Sequence, residues 1–170
     1  MPVKSHLGGK NVIVTDILFD AQRKLKYHKP TNNIKKRSMS TQVFINLPVA
    51  DLPKSRTFYT ALGYSVNEQY SNENGACIVI SDTINVMLCT HEQFSVFTPK
   101  AVCDTSKAVE VLLNLSCESR EHVDNLVTNA LAAGGSTYDK AEDLGFMYSH
   151  SYVDPDGHGW GLFYANEMAA

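Results

Sequence analysis

Between residues 42 and 165 short apolar runs alternate with polar, turn-forming clusters, and twice the apolar spacing changes from that of a strand to that of a helix. Gln42-Val43-Phe44-Ile45-Asn46-Leu47 is apolar and β-branched, and predicts a strand that Pro48 stops. Asp51 is a suitable N-cap and Pro53 suits a first helical turn. Leu52, Phe58, Tyr59 and Leu62 gather at helical spacing, and Gly63 closes that helix. Strand-like segments follow at 64–68, 76–80 and 84–89, separated by Asn72-Glu73-Asn74-Gly75 and Ser81-Asp82-Thr83. This half reads strand, helix, strand, strand, strand.

The second half repeats the order. Val109 to Ser116 predicts an apolar strand. Ser119 caps a helix with Val123, Leu126, Val127 and Ala130 on one face, which Gly134-Gly135 ends. Strands are expected at 136–140, 145–153 and 160–164, with Asp154-Pro155-Asp156-Gly157 as the tight turn before the last. Phe44-Ile45-Asn46-Leu47 aligns with Leu112-Leu113-Asn114-Leu115, and in that register the caps Asp51 and Ser119 coincide. Shared element order and shared caps argue for an internal duplication. Residues 91–108 become the linker, a loop with one helical turn.

Charge divides the chain where the pattern begins. Residues 1–40 hold nine Lys and Arg against two Asp and Glu, whereas 41–170 hold six against 16. The first forty residues therefore read as a basic, poorly ordered N-terminal extension. Met39, just ahead of the first clean strand, reads as a natural start of translation, the competing reading being an arm that docks on the domain or on a partner chain. Clustered Lys and Arg are needed to hold phosphates, so the acidic body argues against nucleic acid. No stretch is apolar and long enough to span a bilayer. The four cysteines, 77, 89, 103 and 117, have neither zinc-site nor disulfide spacing, and predict free thiols in a reducing cytoplasm.

Paired strand-helix-three-strand modules ending in Asp-Pro-Asp-Gly resemble the vicinal-oxygen-chelate superfamily, which holds glyoxalase I, bleomycin-resistance proteins and extradiol dioxygenases. The resemblance rests on Asn46-Leu47-Pro48-Val49-Ala50-Asp51-Leu52, on Phe58-Tyr59-x-x-Leu62-Gly63 and on Asp154-Pro155-Asp156-Gly157-His158. It implies an α+β fold: two βαβββ modules forming a cup-shaped eight-stranded mixed sheet, helices outside, in a glyoxalase-like domain over 41–168. Module one would span 41–90 and module two 109–166. It also implies a small-molecule ligand and a homodimer, since some members build the cavity from two chains.

Metal-dependent members carry one ligand on the first and fourth strands of each module. The matching residues here are Phe44, Met87, Leu112 and Gly161. None supplies the imidazole or carboxylate that Fe(II), Ni(II) or Zn requires, so no metal and no cofactor is expected. Strand alternation adds Asn46, Cys89, Asn114 and Phe163 to the expected cavity wall. The two amides could hold a ligand's polar atoms or bond each other and seal the cup. His150, mid-strand, is the best candidate for a general base, its competing reading being a hydrogen-bonded core histidine. His158 reads as a turn residue and Trp160 as core. Three functions follow: a metal-free binder of a small, partly apolar molecule, a lyase or isomerase of the lactoylglutathione-lyase type with a non-standard site, or a regulatory partner protein using the basic arm.

Overall fold

The computed structural model describes residues 41–165. The expectations for residues 1–40, and for the domain end at 166–168, lie outside them. Each module begins with a strand, β1 (Val43–Val49) and β5 (Leu112–Ser116), and each strand leads into a capped helix. Asp51 accepts from the Lys54 amide at the start of α1 (Leu52–Ala61), with Pro53 in the first turn where its missing N–H costs nothing. Ser119 accepts from the His122 amide at the start of the helix Arg120–Ala132. Module one continues with β2 (Ser65–Asn67), a 3-10 turn at Glu68–Tyr70, β3 (Gly75–Val79) and β4 (Ile84–Thr90). The linker's helical turn is α2 (His91–Val96), which makes the Arg120–Ala132 helix α3. Module two closes with β6 (Glu142–Asp143), β7 (Met147–Val153) and β8 (Gly159–Ala165).

Three boundaries differ from the sequence reading. β1 runs through Pro48 because it is an edge strand, paired with β4 alone, so a missing ladder donor is tolerated. β5 starts at Leu112, with Val109 and Val111 left exposed. The strand expected at 136–140 reduces to one bridge, Ser136 to Val153. Thr137 and Asp139 bond each other's side chain and backbone there, a local alternative to a ladder.

The strand orders are β1-β4-β3-β2 and β5-β8-β7-β6, with β1–β4 and β5–β8 parallel and the other pairs antiparallel. The two βαβββ modules are thus as the pattern predicts. The single eight-stranded cup is not: the strands form two separate four-stranded sheets. One core serves both. Leu47, Val49, Val86 and Leu88 from the first sheet, Tyr152, Trp160 and Leu162 from the second, and the apolar stripes of α1 and α3 form one buried cluster. The ring of Tyr59 on α1 stands 6.0 Å from that of Trp160 on β8, and Phe58 stands 6.0 Å from Tyr152 on β7. The helix-bearing faces of both sheets are therefore spent on each other. The helices lie on the side away from the opposite faces, which are exposed at the edge strands, at Phe44, Asn46, Leu112 and Asn114, and buried further in, at Cys77, Cys89 and Ser151.

Asp154-Pro155-Asp156-Gly157-His158 clasps the modules together. Asp156 accepts from the Ala50 amide at 2.8 Å and from the Ser55 hydroxyl at 2.7 Å, both at the start of α1. His158 donates from Nε2 to the Pro48 carbonyl at 2.8 Å, and Trp160 donates to the Tyr59 hydroxyl, which donates to Asp154. Gly157 completes the turn at φ +90°, a conformation that side chains resist.

Candidate ligand-binding faces

Alternation along β1 and β4 separates two sets of side chains. Ile45, Leu47, Val49, Val86 and Leu88 turn to the core. Phe44 and Asn46 turn to the open face, where both are exposed, Phe44 by 45 %. Asn46 lies opposite Met87, and Met87 opposite Cys77, so the three form a row across β1, β4 and β3. Met87 is half-buried, while Cys89, Cys77 and Asn85 on the same face are buried. Burial pushes the Cys89 thiol up to about 11 and raises that of Cys77. Both thiols are therefore protonated at neutral pH and poor nucleophiles.

The second sheet repeats this arrangement. Leu112 and Asn114 are exposed, and Gly161 and Phe163 share their face. Leu112 lies opposite Gly159 and Asn114 opposite Gly161. Both side chains fold over the glycine beside them. A Cβ on Gly159 would meet Leu112 at 2.8 Å, and one on Gly161 would meet the Asn114 Oδ1 at 2.0 Å. The Tyr138 hydroxyl overhangs the same strip, 3.7 Å from the Gly159 Cβ position. Ser151, opposite Gly161 on β7, is the residue that sequence reading missed, because the β7 face could not be assigned before its partner strand was known.

The structure gathers the expected residues into two groups. Phe44, Asn46, Met87 and Cys89 lie on one open face, and Leu112, Asn114, Gly161 and Phe163 on the other. The two groups lie on different four-stranded sheets, which are not closed on each other. A shallow groove lined by Pro53, Arg56, Thr57, Thr60, Val66 and Glu68 lies off both faces and contains none of these residues.

His150 belongs to neither group. It pairs with Leu162 and so shares the helix side of β7 with Tyr152. Its Nε2 is buried without a hydrogen bond, 3.6 Å from Asp139. His150 therefore lies on the side of β7 away from Ser151 and lacks the hydrogen bond expected of a core histidine. Asp154 sits under the Tyr59 hydroxyl, and burial raises its carboxyl above the usual range, opposed by His158 and the Tyr59 hydrogen bond. That carboxylate is committed to the clasp. Phe44, Met87, Leu112 and Gly161, where the resemblance would put metal ligands, carry no imidazole, carboxylate or thiolate to hold a divalent ion. Among the described residues no three His, Cys, Asp or Glu side chains come together to hold one.

A family model described as bleomycin resistance protein-like N-terminal matches residues 41–81. A hypothetical protein from S. aureus is 28% identical, with a TM-score of 0.64 over 76% of this chain and 97% of that one. A glyoxalase/bleomycin resistance protein/dioxygenase family enzyme from Burkholderia phytofirmans is 19% identical, with a TM-score of 0.61 over 75% of this chain and 100% of that one. A glyoxalase-related enzyme from Fulvimarina pelagi is 20% identical, with a TM-score of 0.63 over 74% and 88%. No curated protein matches the sequence. With its paired modules and its Asp-Pro-Asp-Gly clasp, the chain has the fold of these glyoxalase/bleomycin resistance proteins, and its first module matches the bleomycin resistance protein-like model.

Proposed function

We propose that this protein binds a small, partly apolar molecule, without a metal, on the open faces of its sheets. One observation carries the reading: the positions that would ligate a metal hold Phe44, Met87, Leu112 and Gly161, while two amides, Asn46 and Asn114, stand beside them. Apolar walls with a few placed polar groups are what small-molecule sites consist of. The lyase alternative needs a base and a means of stabilising an enediolate. No histidine of these strands turns to the open faces, since His150 of β7 lies on the helix side, and the Cys89 and Cys77 thiols there are held protonated. The family likeness to enzymes is one of fold, and fold does not fix function.

A second copy of the chain completes the cup in this reading. β1 and β5 are both edge strands, and next to their unpaired edges Val43, Phe44 and Leu112 are exposed by 49 %, 45 % and 54 %. Exposed apolar strand edges are a recognised route to association. Among the described residues no helix is long and apolar enough to cross a membrane, and all four cysteines are free, which supports a reducing cytoplasm.

Three measurements test the proposal. Sedimentation equilibrium should give a dimer that Phe44→Asp dissociates, and a monomer for the unaltered chain would remove the second copy. A thermal-shift screen should find stabilising planar, partly apolar compounds. Titration with Ni, Zn, Mn and Fe(II) should show no tight stoichiometric binding and no metal-dependent turnover of a hemithioacetal. Micromolar binding with such turnover would replace this reading by the lyase.

A further inference from the structure

Ser151 lies in the middle of β7 and is 5% exposed. Its hydroxyl is sealed from solvent and has no hydrogen-bond partner among the described residues. Buried hydroxyls are normally satisfied, so this group sits ready for a partner that the chain does not provide. The ladder sets Ser151 opposite Gly161, and Gly161 opposite Asn114, so the three cross β7, β8 and β5 in one row on the open face. Gly161 leaves the middle of the row without a side chain. The Asn114 amide lies over it, with Oδ1 at 2.0 Å from where a Cβ would be, across the strand that separates it from Ser151.

We propose that Ser151 and Asn114 form a hydrogen-bonding subsite for the carboxamide or ring-lactam edge of a small planar molecule, opened when the Asn114 amide lifts off Gly161. The proposal rests on reading the open faces as ligand surfaces. Its chemistry follows from the donor inventory. Asn114 offers an acceptor and two donors, and the Ser151 hydroxyl can donate or accept. An amide edge, which carries a donor and an acceptor side by side, satisfies both residues. A carboxylate does not fit, because the strands of this face hold no cation. The one charged side chain these strands turn to this face, Glu142 opposite Ser149, is negative, while Asp143 lies on the other side. Burying an anion there would be uncompensated. Leu112, Phe163 and Val153 on the same face supply the apolar wall for the ligand's ring.

The test uses the 15N-labelled full chain, with benzamide as the probe and ethylbenzene as its apolar comparator. Benzamide, and not ethylbenzene, should shift the Asn114 side-chain amide and the Ser151 and Gly161 backbone amides. Ser151→Ala should weaken benzamide binding about fivefold or more, as expected for one lost hydrogen bond. Its melting temperature should stay level or rise, since a partnerless hydroxyl is removed. Asn114→Ala, at an exposed position, should weaken benzamide similarly. Wild-type benzamide affinity in both variants would overturn the subsite, as would a Ser151→Ala chain that loses stability but keeps its affinity. If ethylbenzene perturbs the open faces while benzamide gains nothing from Ser151, the subsite alone fails. If neither probe perturbs either face, the subsite and the binding reading fail together.

Discussion

Tyr59 shows how much one hydroxyl can hold. It accepts from the Trp160 indole at 3.1 Å and donates to Asp154 at 2.7 Å, so α1 of module one, β8 and the clasp meet at one oxygen. Tyr59→Phe keeps the ring packing but strands the indole N–H and takes a donor from a buried carboxylate. The expected loss is about 2–3 kcal/mol in a urea melt, on the scale for hydrogen bonds to charged groups. A loss below about 0.5 kcal/mol, the level of an ordinary surface change, would show that water replaces the hydroxyl. At this scale the sequence was legible for side chains next to punctuation. Asp51, Ser119 and Gly157 could be assigned because caps and turns are local chemistry. Ser151 and His150 could not, since their faces depend on which residue of β8 each one meets.

At the scale of elements, the two caps are pseudo-equivalent and make the same bond, to the third residue onward, at 3.0 Å in each module. Asp51→Ala and Ser119→Ala should therefore each cost about 1 kcal/mol. Denaturant melts of the two variants check this. A much larger loss for Ser119→Ala would mean that its module depends more on helix initiation. The duplicated pattern made both strand-helix units readable, because amphipathic periodicity and caps repeat in each. β6 was misplaced because Thr137 and Asp139 spend their side chains on a local turn, and composition alone does not separate such a turn from a strand.

For the whole molecule, the shared core governs the response to alkali. Burial raises Tyr59 and Tyr152 well above 10.0 and carries Tyr64 to about 12 and Cys89 to about 11. Each of these acids stays protonated longer in the folded chain. Between its unfolded and folded values the unfolded state binds fewer protons, so stability falls as pH rises. The contribution is complete below about pH 9, where unfolded thiols begin to ionise, and is lost through about 11 to 12. Far-ultraviolet circular dichroism and tyrosinate absorbance should then change together in alkali. Tyrosinate appearing for these buried rings well before unfolding would contradict this account of the core.

The local code by itself determined the paired modules, their caps and the clasp turn. Periodicity and turn chemistry are short-range, and strand parity carries a residue's face along one strand. Only the tertiary structure decided how the faces were used. The rings of Phe58, Tyr59, Tyr152 and Trp160 join the helix sides of both sheets in one core, which leaves Asn46 and Asn114 on the faces away from it. Which sheet face meets which is settled by contacts between residues about a hundred positions apart, such as Tyr59 with Trp160, and no local pattern encodes them.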